Sequence, residues 1–249
     1  MTTNPIRLMS SVLSDQLNVR KRISGECEHF VKYGSGCPDC LEIERQQEEK
    51  IKERERLNHE NEMAQRREHP DFWLREYGVP NKYLASSFDN FIGGIDAAKA
   101  CMAFPKHDVV LIGKTGCGKT HLSAATMRKM VINNEIKTAR FTTVPRLLMD
   151  IRDCFKDKTS ENEKEIVNRY VSYGFLFLDD LGSDRATEWA IETLYLIIDG
   201  RDSNLKPTFI TTNLSVLEIE QHYGARIASR ISGKTIININ LPDYRKKRS

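Results

Sequence analysis

The sequence predicts an α/β chain built on a mainly parallel, five-stranded sheet with helices on both faces, preceded by a small polar N-terminal part. Three observations carry this. From about residue 71, short apolar runs alternate with helix-length stretches, the pattern of a parallel sheet whose crossovers are helices. A glycine-rich turn, Gly113 to Thr120, joins one such run to the helix after it. Finally, the composition changes abruptly near Pro70. Residues 41–68 hold nine glutamates and seven Lys/Arg with no Gly or Pro, whereas the rest has the make-up of a core.

The elements follow in order. Residues 41–68 favour a helix on propensity, with i,i+4 pairs such as Glu48–Lys52. Its large apolar residues, Leu41, Ile43, Ile51, Leu57 and Met63, hold no clean heptad, so a single exposed helix is expected rather than a coiled coil. Pro70 ends it. Residues 108–112 form a strand, and a helix runs from Lys119 to about Asn133. A strand covers roughly 138–143, followed by helices near 145–156 and 161–171. Tyr173 to Leu178 is too continuously apolar for a half-exposed strand and is expected at the centre of the sheet. A helix over 187–200, a strand over 207–212, two short helices and a last strand from Thr235 to Asn240 complete the domain. The division expected is 1–70 and 71–249.

Val109-Val110-Leu111-Ile112 leads directly into Gly113-Lys114-Thr115-Gly116-Cys117-Gly118-Lys119-Thr120. This is G-x-x-x-x-G-K-[ST] in its working context, after a strand and before a helix. Backbone N–H groups of such a loop close around phosphate oxygens, and the helix start adds a positive dipole end. Lys119 is expected to reach the β- and γ-phosphates of ATP, or the β-phosphate of ADP, and the Thr120 hydroxyl to ligate Mg²⁺. The central apolar strand ends in Asp179-Asp180. Asp179 is expected to hold Mg²⁺ through water, and Asp180 to orient or deprotonate the attacking water. Asn213, at the end of the next strand, is placed to contact the γ-phosphate or that water. Arg226 and Arg230 are four apart on one helical face, with no acid near them in sequence.

A second constellation is Cys27-Glu-His29, ten residues ahead of Cys37-Pro-Asp-Cys40. Three thiolates and an imidazole suit a closed tetrahedral Zn²⁺ site, with His29 the least regular ligand. A redox C-x-x-C is disfavoured because no thioredoxin-like βαβ surrounds it. Cys101, Cys117 and Cys154 share no spacing and are expected as packing or loop residues. No apolar run approaches the ~18–20 residues of a membrane span. The N-terminus lacks a signal-peptide core. A cytoplasmic protein is therefore expected. The net charge of +3 is too small to argue nucleic-acid binding by itself.

Taken in order, the loop at Gly113–Thr120, Asp179-Asp180, Thr212-Asn213 and Gly224-Ala-Arg-Ile-Ala-Ser-Arg230 resemble the DnaC-type helicase loaders. These group with the IstB-like ATPases in the initiator branch of AAA+ proteins. The resemblance covers residues 71–249. It includes the lead-in Tyr77 to Tyr83, Ser87 to Phe91 and the closing Leu241-Pro-Asp-Tyr-Arg245. It implies an AAA+ P-loop ATPase with little or no helical lid, since only 36 residues follow Asn213. Arg230 would be the finger that completes a neighbouring subunit's site, and Arg245 the sensor-2 arginine. Hydrolysis would be weak and stimulated by partner or DNA, because Asp180 stands where many relatives carry Glu. The helix after the second strand would meet single-stranded DNA through Arg152, Phe155 and Lys156, with Trp189 a second stacking surface. Phe155 and Trp189 fit core packing equally well. Partners implied are a DnaB-type hexameric helicase, single-stranded DNA and further copies of the chain, with no membrane. An IstB-like transposase regulator and a nucleotide-binding adaptor without useful hydrolysis are the other readings.

Overall fold

The structure, a computed structural model, describes residues 38–154 and 162–244, with side chains from Leu41 onward. Two compact units meet between Glu62 and Met63, eight residues before the change in composition at Pro70.

Helix α1 (Pro38–Glu68) is polar almost all round. Its ion pairs include Arg45–Glu42 at 3.0 Å, Arg56–Glu53 at 2.8 Å and Arg56–Glu60 at 3.8 Å. All are exposed, and each is worth a few tenths of a kcal/mol at most.

In the second unit, α2 (Pro70–Glu76), a 3₁₀ turn (Asn81–Tyr83) and α3 (Ile95–Met102) lead to the sheet. The five strands are β1 (Val109–Gly113), β2 (Ala139–Thr143), β3 (Phe175–Leu181), β4 (Thr208–Thr212) and β5 (Thr235–Ile239). Between them lie α4 (Lys119–Ile132), α5 (Val144–Asp153), α6 (Glu163–Ser172), α7 (Glu188–Ser203), α8 (Val216–Tyr223) and α9 (Ala225–Ser232). The strand order is β2-β3-β4-β1-β5 with every pairing parallel. This is the expected five-stranded sheet.

Alternation along each strand divides the core in two. Val109, Leu111, Phe141, Phe177 and Phe209 face α2, α3 and α4. Val110, Ile112, Leu176, Leu178 and Ile210 face α5 to α9. Register makes the first face a ladder of rings, because Phe141 pairs with Phe177 and Phe177 with Phe209. The centroids lie 6.2 and 5.4 Å apart, nearly parallel, and Phe104 meets Phe177 and Phe209 edge-on. Such pairs add about 0.5–1.5 kcal/mol each beyond the area they bury.

Three differences from the sequence expectations bear on the site. β3 begins at Phe175, not Tyr173, and runs on through Asp179-Asp180 to Leu181. Its pairing with β4 slips between Leu178 and Leu181, and Asp180 sits at φ 59°. A bulge of this kind re-aims a side chain at a functional edge. Helices α2 and α3 had no sequence signal strong enough to assign, being only 7 and 8 residues long.

Candidate nucleotide site at the carboxyl edge of the sheet

The carboxyl ends of β1, β3 and β4 converge on one open cleft of about 880 Å³. Crevices outside the strand ends of open α/β sheets are where ligands bind. The loop after β1 forms its floor. Gly116 and Gly118 lie at φ 80° and 97°, a region that L side chains avoid. Gly118 is the N-cap of α4 and offers no side chain to the helix start. The first N–H groups of α4 are thus left for an anion. A Cβ on Gly118 would come within 2.7 Å of the Phe91 ring, so the cradle tolerates only glycine there. Cys117 is fully buried beneath the loop.

Lys119 is 5 % exposed. Its ammonium donates to Gly113 O at 2.7 Å, Lys114 O at 3.1 Å and Asn213 Oδ1 at 2.5 Å. The oxygens that hold it are uncharged, so its charge remains to attract phosphate. Asp179, also 5 % exposed, accepts from Thr120 Oγ1 at 3.0 and 3.2 Å and from Thr211 Oγ1 at 2.6 Å. Burial raises its pKa, and the neighbouring Asp180 adds to this, while the two threonine hydroxyls and Lys119 oppose it. The Asp180 backbone is pinned by its own N–H to Thr211 Oγ1 at 3.0 Å and by Ser183 bonding to its carbonyl. Its side chain lines the cleft.

These groups fit a magnesium-bound nucleoside triphosphate. A glycine-only cradle receives the phosphates, and a hydroxyl and a carboxylate already in contact form the donor pair that Mg²⁺ takes in such sites. Lys114, Thr115 and Gly113 complete the loop. Bound there, Mg²⁺ would draw charge from the phosphate oxygens during transfer.

The structure brings Lys119, Thr120, Asp179, Asp180 and Asn213 together. It also adds residues that the motifs do not announce. Phe91 packs on the His121 ring at 5.7 Å between centroids, and His121 Nε2 lies 2.9 Å from Ser87 O. Tyr83 and Asn90 line the same wall. The segment Ser87–Phe91 was part of the sequence resemblance, but its role depends on a fold-back onto α4 that no local pattern encodes. From the other side, Tyr244 N donates to Gly116 O at 3.2 Å, and the Asp243 side chain stands where a Cβ of Gly116 would go.

Arg226 and Arg230 lie on α9, and neither lines this cleft. No acid lies near them in sequence, but the fold supplies one: Arg230 bonds Asp199 at 2.6 and 2.8 Å and approaches Asp202 at 3.6 Å. Those acids come from α7, thirty residues earlier in the chain, which is why inspection of the local sequence misses them. Arg226 lies over the Tyr195 ring at 5.7 Å.

Arg152 and Trp189 are brought together, with the guanidinium 4.7 Å from the ring centroid and Trp189 Nε1 donating to Glu163 at 2.8 Å. Trp189 is half-buried against the second core. Cys101 and Cys117 are buried free thiols and Cys154 is half-buried. Burial pushes the Cys101 thiol up to about 12. Phe155, Lys156, Arg245, Cys27, His29 and Cys37 lie outside the described residues, as does the side chain of Cys40. Among the described residues no cluster of three or more His, Cys, Asp or Glu is placed to hold a metal, and no helix is long and apolar enough to cross a membrane.

Residues 35–248 match the family described as IstB-like ATP binding protein. The chain belongs to the IstB-like ATP-binding family. A similar curated relative is the replicative helicase loader DnaC of Buchnera aphidicola subsp. Baizongia pistaciae, 24% identical over 186 residues, covering 70% of this chain and 75% of the relative. The DnaC of Escherichia coli K12 is 25% identical over 140 residues, 55% of this chain and 56% of the relative, so the match spans little more than half of that protein. A crystal structure of the DnaC helicase loader shares the fold, with a TM-score of 0.55 at 22% identity over 65% of this chain and 100% of that one. As an IstB-like protein the chain is a P-loop ATPase, and its phosphate-loop motif lies in the cleft described above.

Proposed function

We propose that this IstB-like ATPase loads a replicative helicase, using nucleotide as a switch between subunit arrangements. The observation that supports the reading is where Arg230 stands relative to the cleft. Lys119, Thr120, Asp179, Asp180 and Asn213 assemble in one cleft, while Arg230 stands apart on α9, held by Asp199. An arginine of that kind stabilises transferring phosphoryl charge when it reaches a neighbour's nucleotide. Side-by-side assembly would therefore exchange Asp199 for phosphate oxygens. The relatives named as helicase loaders supply the class of partner.

In this reading Asp180 activates water with short reach, so hydrolysis is slow until DNA or helicase stimulates it. Arg245, the next residue in sequence after Tyr244, acts as the sensor-2 arginine. Arg152, which lies over the Trp189 ring, binds single-stranded DNA, as do Phe155 and Lys156. Residues 1–70 hold Zn²⁺ through Cys27, His29, Cys37 and Cys40 and grip a DnaB-type helicase. The setting is the bacterial cytoplasm.

Co-purification with a bacterial replicative helicase tests the whole reading. The full chain should retain the helicase in an ATP-dependent way. Cys37→Ser should lose both bound zinc, by elemental analysis, and the helicase, while still binding a fluorescent ATP analogue. Retention of helicase by residues 63–249 alone would overturn the division of labour. A preference for duplex over single-stranded DNA would favour transposase regulation instead.

A further inference from the structure

The turn that follows the catalytic acids is tied to the helix pair that presents the arginines. Gly182 N donates to Tyr223 Oη at 2.8 Å, and the same hydroxyl donates to the Asp184 carboxylate. Both sites of the phenol oxygen are therefore used within one turn, Gly182 to Asp184, that begins two residues after Asp180. Burial and the Asp184 carboxylate raise the Tyr223 pKa, so it stays a phenol and remains a donor. The ring is 1 % exposed and packs in the second core.

Tyr223 is also the last residue of α8. Gly224 follows at φ 88°, with nothing within 4 Å of the place a Cβ would occupy, and α9 begins at Ala225. The anchor thus sits immediately before an unobstructed glycine joint, and beyond the joint are Arg226 and Arg230. On the other side of the anchor, Gly182 packs so closely on Leu214 that a Cβ would come within 2.5 Å of it.

Resting on the reading of Arg230 as a residue that acts in a neighbouring subunit, we propose that Tyr223 is a positioning residue. Its hydroxyl fixes the root of α9 to the turn after Asp180, so the arginine a subunit offers is set by the state of its own site. A purely structural tyrosine would affect stability, and its loss would act independently of Arg230. A positioning residue would act through Arg230 and be silent without it.

The test is a double-mutant cycle in the full chain, reading ATPase kcat with single-stranded DNA present and the affinity of a fluorescent ATP analogue. Tyr223→Phe should lower kcat about tenfold while leaving nucleotide affinity within about twofold. Tyr223→Phe added to Arg230→Ala should lower kcat no further than Arg230→Ala alone. Asp184→Asn keeps an acceptor for the phenol and should retain most of the rate, whereas Asp184→Ala should match Tyr223→Phe. If Tyr223→Phe does not fold, the cycle is run with Asp184→Ala. Losses that multiply in the double variant, or a wild-type kcat in Tyr223→Phe, overturn the proposal and leave the Arg230 reading standing. An unchanged kcat in Arg230→Ala overturns that reading and this proposal with it.

Discussion

Asp179 is 5 % exposed, and the hydroxyls of Thr120 and Thr211 stand where water would otherwise solvate it. Its raised pKa means that the folded chain holds a proton there more tightly than the unfolded chain does. Between the unfolded carboxylate value, about 4, and the raised folded value, stability falls as pH rises. Above that window the full cost is present. Asp179→Asn should therefore raise the melting temperature of the nucleotide-free chain at neutral pH by about 2–4 °C, or ~1 kcal/mol for a chain of this size. It should also flatten that part of the pH dependence and abolish the Mg²⁺-dependent gain in nucleotide affinity. Melts at pH 5 and 7.5, with and without Mg²⁺ and nucleotide, check this, and a lower melting temperature for the variant at pH 7.5 would refute it. At this scale Lys119, Thr120, Asp179 and Asp180 were legible because one short pattern and one strand end encode them. Phe91, His121 and Tyr223 were not, since each acquires its role from a residue tens of positions away.

Helices and strands were legible where an apolar pattern ran long enough, as at Phe175–Leu178 and Lys119–Ile132. What the pattern could not show is how the ends of elements are joined. Arg201, near the end of α7, is fully buried. Its guanidinium donates to Tyr170 O, Val171 O and Tyr173 O at 2.9, 3.2 and 2.8 Å, to Pro207 O at 2.7 Å and to Thr208 Oγ1 at 3.0 Å. It thereby caps the carboxyl end of α6 and fastens the start of β4, and burial lowers its pKa to about 10. From sequence alone it looks like one more exposed helical arginine. Arg201→Met fills similar volume but takes this donor from the Tyr170, Val171 and Tyr173 carbonyls, each worth about 1–3 kcal/mol if it stays dry, while Pro207 O keeps Leu176 N. The expected loss is about 3 kcal/mol after water enters, a fall of roughly 6–12 °C in melting temperature. Nucleotide affinity in the surviving folded fraction should hold. A variant that melts within about 2 °C of wild type would show that the arginine only fills space.

For the whole molecule the question is where the nucleotide-binding unit begins. Composition places the change at Pro70, whereas the compact units meet between Glu62 and Met63. The intervening residues explain the difference. Arg66 is buried, donates to Ile136 O and lies 4.5 Å over the Trp73 ring, while His69 N bonds Gln65 O at 2.8 Å. These residues look like the rest of a charged helix, because their partners are Trp73, on the next helix, and the segment leading into β2. Composition averages over a window and so assigns the last turn of α1 to the polar part, although its contacts belong to the core. A chain covering 71–249 should therefore be less stable than one covering 63–249. The cation–π contact and the buried hydrogen bond together are worth about 2 kcal/mol, or roughly 4–8 °C. Both chains should bind a fluorescent ATP analogue equally, because among the described residues the cleft is lined from Lys82 onward. Parallel thermal melts decide the matter. Equal melting temperatures would return the boundary to Pro70, and a weaker analogue affinity in the shorter chain would mean that Arg66 also supports the wall formed by Tyr83 and Phe91.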